Sequence, residues 1–134
     1  MLHLAVISLL CHLRFGTSQK LCYWPDESIA AVDTPCNASA PVSSCCRSDS
    51  FCLDNGLCLP ENAIVRGSCT ERSWSIECFT YCYDETHNAP DAIIYCGTDA
   101  NNNMFYACRK DRTCSINFTL VSDGGIMLRK EQAA

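Results

Sequence analysis

The residues best suited to chemistry in this sequence are its cysteines, thirteen in a chain of 134 residues. Cysteine thiolates bind zinc, exchange disulfides in redox enzymes or form structural disulfides, and their spacing helps to separate these uses. The close pairs Cys52/Cys58 and Cys78/Cys82 are irregularly spaced, and no C-x-x-C redox pair occurs. Because His87 is the single histidine after residue 18, zinc is not favoured. The pattern predicts structural disulfides, with no metal and no cofactor.

Residues 1–18 have the pattern of a secretory signal peptide. An apolar stretch, too short to cross a bilayer, precedes Gly16 and Ser18, which are small residues at the −3 and −1 positions of a cleavage before Gln19. Cleavage one or two residues to either side fits the pattern as well. Removing this segment removes Cys11 and leaves an even set of twelve cysteines, which predicts six disulfides in a secreted, extracellular protein. The set is Cys22, Cys36, Cys45, Cys46, Cys52, Cys58, Cys69, Cys78, Cys82, Cys96, Cys108 and Cys114.

Charge and hydropathy narrow the range of partners. The formal net charge is −5, so the chain lacks the basic surface that binds nucleic acid or an anionic membrane. No membrane span is predicted in this chain, and the protein is expected to be a monomer that meets an extracellular protein or a wall polysaccharide.

Catalysis is not predicted. The neighbouring acids Asp26-Glu27 and Asp84-Glu85 are typical of solvated turns rather than of a general acid and base in a cleft. A catalytic triad would have to use His87, which lies in the loop-like segment Thr86–Pro90 without a nucleophile motif. The protein is therefore expected not to be an enzyme.

The cysteines fall into two groups within one predicted cysteine-rich domain, residues 19–123. Subregions 22–58 and 69–114 each hold six cysteines, which favours pairing within each group, and residues 60–67 are predicted to join them. Residues 124–134 follow the last cysteine and are predicted to form a flexible C-terminal tail.

Local patterns predict short strands. Residues 50–53 and 57–59 flank Asp54-Asn55-Gly56, which is typical of a β-hairpin, and Met104–Cys108 follows the loop Asn101–Asn103 as a candidate strand. The spacing of Trp74, Cys78 and Cys82 makes Glu71–Tyr83 the one helical candidate. The predicted fold class is small, disulfide-rich and loop-dominated, with short β-hairpins and at most one short helix.

Two further residue types suggest surface roles. Asn37 and Asn117 each begin an Asn-x-Ser/Thr sequon without proline and are candidate glycosylation sites. Tyr23, Trp24 and Phe51 are the aromatic residues predicted to contact a ligand, whereas Trp74 and Tyr81, close to cysteines, are predicted to lie in the core.

Several runs of the sequence resemble the cysteine-rich ectodomain of a group of uncharacterised secreted or single-span surface proteins of filamentous ascomycete fungi. The runs are Cys22–Asp26, Asp33–Asn37, Cys45-Cys46, Leu53–Cys58, Arg66–Thr70 and Tyr106–Cys108, with Trp74, Cys78 and Cys82. The resemblance implies a fungal source and a surface or secreted architecture. Related chains continue into a Ser/Thr-rich stalk and one membrane span, which this chain lacks, so a soluble relative and a truncated product both stay open.

The first functional hypothesis is a non-enzymatic extracellular or cell-surface binding module. A secreted effector-like or inhibitor-like protein is the first alternative, and residues 84–91 or 99–104 are its candidate inhibitory loops. A wall-glycan binder is the second, because the C…CC-x5-C spacing is similar to that of hevein-type chitin-binding domains, although their paired aromatics are missing here.

Overall fold

The structure is a computed structural model that describes residues 18–79, 81–84, 86–120, 126–127 and 129. These residues form ten short β-strands, and no helix occurs among them. The predicted signal peptide lies outside the described residues except for Ser18. In chain order the strands are β1 Asp33–Pro35, β2 Ser44–Arg47, β3 Phe51–Leu53, β4 Cys58–Leu59, β5 Ile64–Arg66, β6 Ser68–Cys69, β7 Asp91–Thr98, β8 Met104–Cys108, β9 Asn117–Phe118 and β10 Ile126–Met127.

The strands form two antiparallel sheets. The smaller has the order β1-β2-β6, and the larger has the order β10-β3-β4-β5-β7-β8-β9. One face of the larger sheet packs against the cystines of the smaller sheet through Cys52, Cys58 and Val65. Its other face contributes Leu53 and Ile93 to a second cluster that contains Phe79 and Tyr81. Short strands, long connections and cystine packing confirm the predicted fold class.

The predicted β-hairpin is present as β3 and β4. Phe51 pairs with Leu59 and Cys52 with Cys58. Its turn uses the expected chemistry, since Gly56 adopts a φ of 86° and Asn55 Oδ1 accepts a hydrogen bond from Leu57 N at 3.1 Å. The predicted strand Met104–Cys108 is also confirmed, as β8.

The helix predicted over Glu71–Tyr83 is wrong. The described residues of this segment form successive turns, and Trp74 and Cys82 adopt left-handed φ angles of 50° and 60°, which interrupt a right-handed helix. Tertiary contacts account for the departure. The Trp74 indole donates to Tyr23 O at 3.0 Å, and the Cys69–Cys78 disulfide closes the segment onto β6. The three residues with helical spacing instead attach the segment at three separate places, because Cys82 also forms a disulfide with Cys108.

Residues 60–67 do not merely join two halves, because they contain β5. Ile64, Val65 and Arg66 pair with Ile93, Ala92 and Asp91 of β7, while Val65 also pairs with Cys58 of β4. The larger sheet therefore runs without interruption from the first cysteine group into the second.

Every one of the twelve cysteines from Cys22 to Cys114 is in a disulfide. The bridges are Cys22–Cys45, Cys36–Cys52, Cys46–Cys58, Cys69–Cys78, Cys82–Cys108 and Cys96–Cys114. Pairing stays within each group of six, as the even counts indicated. Cys45, Cys46, Cys52 and Cys58 are almost completely buried, so cystines take the place that large aliphatic side chains occupy in larger domains.

Part of the C-terminal segment is ordered. Ile126 pairs with Leu53 and Met127 with Cys52, which makes β10 an edge strand beside β3. The Arg129 side chain is 3% exposed and donates to the carbonyl oxygens of Cys46, Arg47, Ser48 and Ser50 at 2.5–3.2 Å. For these three residues the structure departs from the expected flexible tail, because backbone pairing and a buried cation hold them.

Candidate binding surfaces

The densest group of potential metal ligands is part of the scaffold. The sulfur atoms of Cys36, Cys46 and Cys52 lie within 4.8 Å of one another, and those of Cys36 and Cys46 are 3.5 Å apart. Their sulfurs belong to two stacked bridges, Cys36–Cys52 and Cys46–Cys58. Because a disulfide sulfur is not a thiolate, this cluster packs the core instead of offering a ligand set.

Asp26 and Glu27, one of the two acid pairs considered for catalysis, serve local structure, while Glu85 of the other pair lies outside the described residues. Asp26 Oδ1 accepts hydrogen bonds from the backbone N and the hydroxyl of Ser28, and these bonds lower the pKa of the Asp26 carboxyl. Glu27 forms a surface ion pair with Arg72 at 3.2 Å. Both acids therefore have turn and surface roles.

The three predicted ligand-contact aromatics do not form one platform. Trp24 is 8% exposed and packs with Cys22, Ala30 and Cys45, while Tyr23 is half-buried. Phe51, in β3, is 43% exposed. Within the described chain no ring contact joins any two of the three. The prediction that Trp74 and Tyr81 lie inward is consistent with their positions, Trp74 in a buried cluster and Tyr81 packed beside another.

A groove of about 680 Å³ opens beside Trp24. Its volume is within the range of small-molecule sites, but three of its charged residues, Asp33, Arg47 and Asp49, already have partners. Arg47 and Asp49 form an ion pair at 2.9 Å, and Asp33 Oδ2 accepts a hydrogen bond from Ser68 Oγ at 2.5 Å.

Among the residues that line this groove, Asp33 has a shifted pKa. Burial raises the pKa of its carboxyl, while the Ser68 hydrogen bond and the positive charges of Arg47 and Arg129 oppose that rise. The carboxyl links β1 to β6 through Ser68, so it stabilises the smaller sheet rather than awaiting a ligand. These three charged residues of the groove therefore serve local structure.

A more accessible surface lies on the outer end of the larger sheet. Tyr95 pairs with Tyr106, Thr98 with Met104, and Tyr106 with Phe118, so these side chains share one face of neighbouring strands. We call this set of five residues the aromatic face. Tyr95 is 58% and Met104 47% exposed, and the ring centroids of Tyr95 and Tyr106 are 5.9 Å apart.

A β-bulge builds the aromatic face. The pairing shifts between Tyr95 and Gly97, where Gly97 has a φ of 135°. The extra residue returns Thr98 to the face of Tyr95, although the two are an odd number of residues apart. As a result the Tyr95 hydroxyl lies 2.5 Å from Thr98 Oγ1.

The turn beyond the aromatic face is fixed by one carboxylate. Asp99 Oδ1 accepts from the backbone N of Asn101 and of Asn103 at 2.8 Å, and Asp99 Oδ2 accepts from Asn103 Nδ2 at 3.0 Å. The hydrogen bonds from Asn103, with a further contribution from Asn101, lower the pKa of the Asp99 carboxyl. The Cys96–Cys114 bridge braces the same hairpin, so the aromatic face is presented by an internally constrained element.

Sequence reasoning missed the aromatic face. Tyr95 and Tyr106 lie on different strands of one hairpin, and it is the antiparallel register of β7 against β8 that places them opposite each other. A hint was available in the alternation of Met104, Tyr106 and Cys108 along the predicted strand.

Both sequon asparagines are exposed. Asn37 lies in a turn in which its Oδ1 accepts from Ser39 N at 3.1 Å, and Asn117 lies in the edge strand β9. These positions are accessible, and glycosylation at Asn37 and Asn117 stays a prediction.

No family model matches this chain, and no curated protein or solved structure matches it significantly. The resemblance to fungal ectodomains therefore stays a prediction. In the described part of the chain, no helix has the length and hydropathy needed to cross a membrane. Six disulfides in a chain of this size are typical of a protein from an oxidising compartment.

Proposed function

We propose that this protein is a non-enzymatic extracellular binding module, and that its aromatic face binds another protein. The observation that carries the proposal is the contiguous exposure of Tyr95 and Met104 beside Tyr106 on a disulfide-braced hairpin. Tyrosine and methionine are enriched in the cores of protein interfaces, and charged residues are depleted there. None of the five side chains of the aromatic face carries a formal charge.

Ring geometry favours a protein over a flat polysaccharide. The Tyr95 and Tyr106 rings are inclined by 65°, and the Phe118 ring is stacked by Tyr81 at 4.1 Å. A polysaccharide platform needs several coplanar rings with free faces, whereas an irregular apolar surface fits protein side chains. The expected partner surface is apolar and uncharged.

The other exposed apolar residues do not form a comparable surface. Ile76, Ile116 and Val32 are also exposed, but scattered single apolar residues are normal on protein surfaces. In the aromatic face, by contrast, the Tyr106 hydroxyl lies 3.7 Å from Met104 Sδ, and Tyr95 contacts both Tyr106 and Thr98.

The rigid turn Asp99–Asn103 favours one second candidate, an inhibitor-like protein that inserts this turn into a protease. Because the Asp99 carboxylate binds the backbone of this turn, the turn would resist rearrangement in a protease active site. Tight binding to a protease without cleavage at residues 99–104 would favour this alternative.

We expect Tyr95→Ala to weaken partner binding about thirtyfold, corresponding to a hot-spot loss of about 2 kcal/mol. The mature protein is immobilised and used to capture proteins from extracellular and cell-surface extracts. Each captured protein is purified, and its affinity is measured for the wild type, Tyr95→Ala and the control Ile76→Ala. Affinity should fall for Tyr95→Ala and stay within about twofold for Ile76→Ala.

Two outcomes would contradict the proposal. If Phe51→Ala abolishes binding while Tyr95→Ala does not, the interface lies elsewhere on the protein. If insoluble chitin or β-glucan retains the protein in a manner that depends on Tyr95, the aromatic face binds polysaccharide instead.

A further inference from the structure

A basic turn follows β8, away from the outer end of the aromatic face. Arg109, Lys110 and Arg112 are exposed and stand within four residues of one another in a chain whose formal net charge is −5. They line a pocket of about 340 Å³, with Pro90 and Ala92 among its apolar wall residues. A pocket lined by several positive charges attracts anions, even when the protein as a whole is acidic.

Asp111, the acidic residue inside this turn, is ionised and offsets only one of the three positive charges of Arg109, Lys110 and Arg112. Asp111 Oδ1 accepts hydrogen bonds from Thr113 Oγ1 at 2.8 Å and Ser115 Oγ at 3.0 Å, and Asp111 Oδ2 accepts from Ile116 N at 2.6 Å. These bonds, first that from Ile116 N, lower the pKa of the Asp111 carboxyl to about 2. Both carboxylate oxygens are thus used to close the turn that presents the basic side chains.

The second acid of the pocket, Asp91, belongs to the protein interior. It is 4% exposed, and its Oδ2 accepts from Thr86 Oγ1 at 3.2 Å. It pairs in register with Arg66, and although burial lowers the pKa of the Arg66 guanidinium, the nearby Asp91 charge opposes that shift. Among residues whose placement is described, neither Arg109 nor Arg112 forms an ion pair.

The pocket wall opposite the basic turn is held in place. The Arg66 guanidinium donates to the carbonyl oxygens of Thr86 at 2.6 Å and Ala89 at 2.9 Å, which fixes the segment leading to Pro90. On the other side, Arg109 N donates to Ala92 O at 2.9 Å and anchors the turn to β7. The turn that carries the basic side chains is therefore anchored, and so is the neighbouring segment that lines the same pocket.

We propose that this pocket binds a small ligand through a sulfate or phosphate group. Arginine guanidinium groups match tetrahedral oxyanions with paired hydrogen bonds, and several cations together favour a dianion over a single carboxylate. The pocket is larger than a bare ion, and its apolar wall at Pro90 and Ala92 can contact the remainder of the ligand. The net negative charge of the chain disfavours long polyanions, which points to a small ester.

The test is a titration of the ¹⁵N-labelled full mature protein with inorganic phosphate and, separately, inorganic sulfate at low ionic strength, followed by NMR. We expect saturable shifts of the amides of residues 109–112 with both anions, and weakening as sodium chloride is added. Binding of one anion alone would assign the pocket to that ester class.

Arg109→Ala and Arg112→Ala should each weaken binding about tenfold or more, because each removes charge-assisted hydrogen bonds. The matched control Arg72→Ala removes an exposed positive charge elsewhere and should change affinity less than about twofold. The proposal is overturned if the shifts do not saturate, or if Arg72→Ala reduces binding as much as Arg112→Ala. Melting temperatures of all variants identify any loss caused by unfolding, and Arg112→Gln, which removes the charge but keeps a polar side chain, then repeats the comparison.

Discussion

Arg129→Met is expected to lower the free energy of unfolding by about 3 kcal/mol or more. The guanidinium donates to four backbone carbonyl oxygens between Cys46 and Ser50 and to Thr34 Oγ1, at 2.7 Å. A methionine replaces the aliphatic stem but leaves those buried acceptors without the guanidinium donor, and each such loss costs about 1–3 kcal/mol. These bonds attach Arg129, the last described residue, to the connection between β2 and β3.

Denaturant unfolding of the oxidised protein measures this effect. Arg72→Met is the matched control, because Arg72 takes part in a surface ion pair and surface pairs contribute about 0–1 kcal/mol. Arg129→Lys should fall between wild type and Arg129→Met, since an ammonium group has three donors and lacks the planar fork. Equal stability of Arg129→Met and the control would show that the C-terminal contact is not structural.

Replacing both Cys46 and Cys58 by Ala should cost about 2–5 kcal/mol, a loss comparable with the whole stability of a small domain. This bridge closes a loop between residues 12 positions apart, and its two cysteines are 1% and 2% exposed. Its removal deletes both a cross-link and the packing of stacked cystines. We expect the variant to be largely unfolded at 37 °C.

The Cys96/Cys114 double alanine variant is the matched comparison. Its bridge spans 18 positions, so loop entropy alone would make its removal slightly more costly than removal of Cys46–Cys58. Both of its cysteines are only half-buried. If packing dominates, Cys46/Cys58 removal is the more destabilising, as thermal unfolding followed by circular dichroism would show; the reverse order would contradict the cystine-core account.

Features coded by neighbouring residues were predictable from the sequence. The turn at Asp54-Asn55-Gly56 specifies its hairpin locally, and the division of the cysteines into two even groups matches their pairing. The fold class followed from cysteine density, because so many bridges can replace a large aliphatic core.

Features that depend on distant contacts were not predictable. Helical spacing over Glu71–Tyr83 was overridden by the Cys69–Cys78 bridge and by the bond from Trp74 to Tyr23 O. The aromatic face requires the register of β7 against β8. The burial of Arg129 has no local pattern at all, since its acceptors lie some eighty residues away along the chain.

The scaffold is tested most directly by mass spectrometry of the oxidised protein from residue 19 onwards, after glycosidase treatment, with alkylation before and after reduction. We predict no alkylation before reduction and twelve alkyl groups afterwards, with proteolytic mapping returning the six pairs within residues 22–58 and 69–114. Free thiols before reduction, a bound metal, or bridges joining the two groups would contradict the account and return cysteine chemistry to the centre of the protein's function.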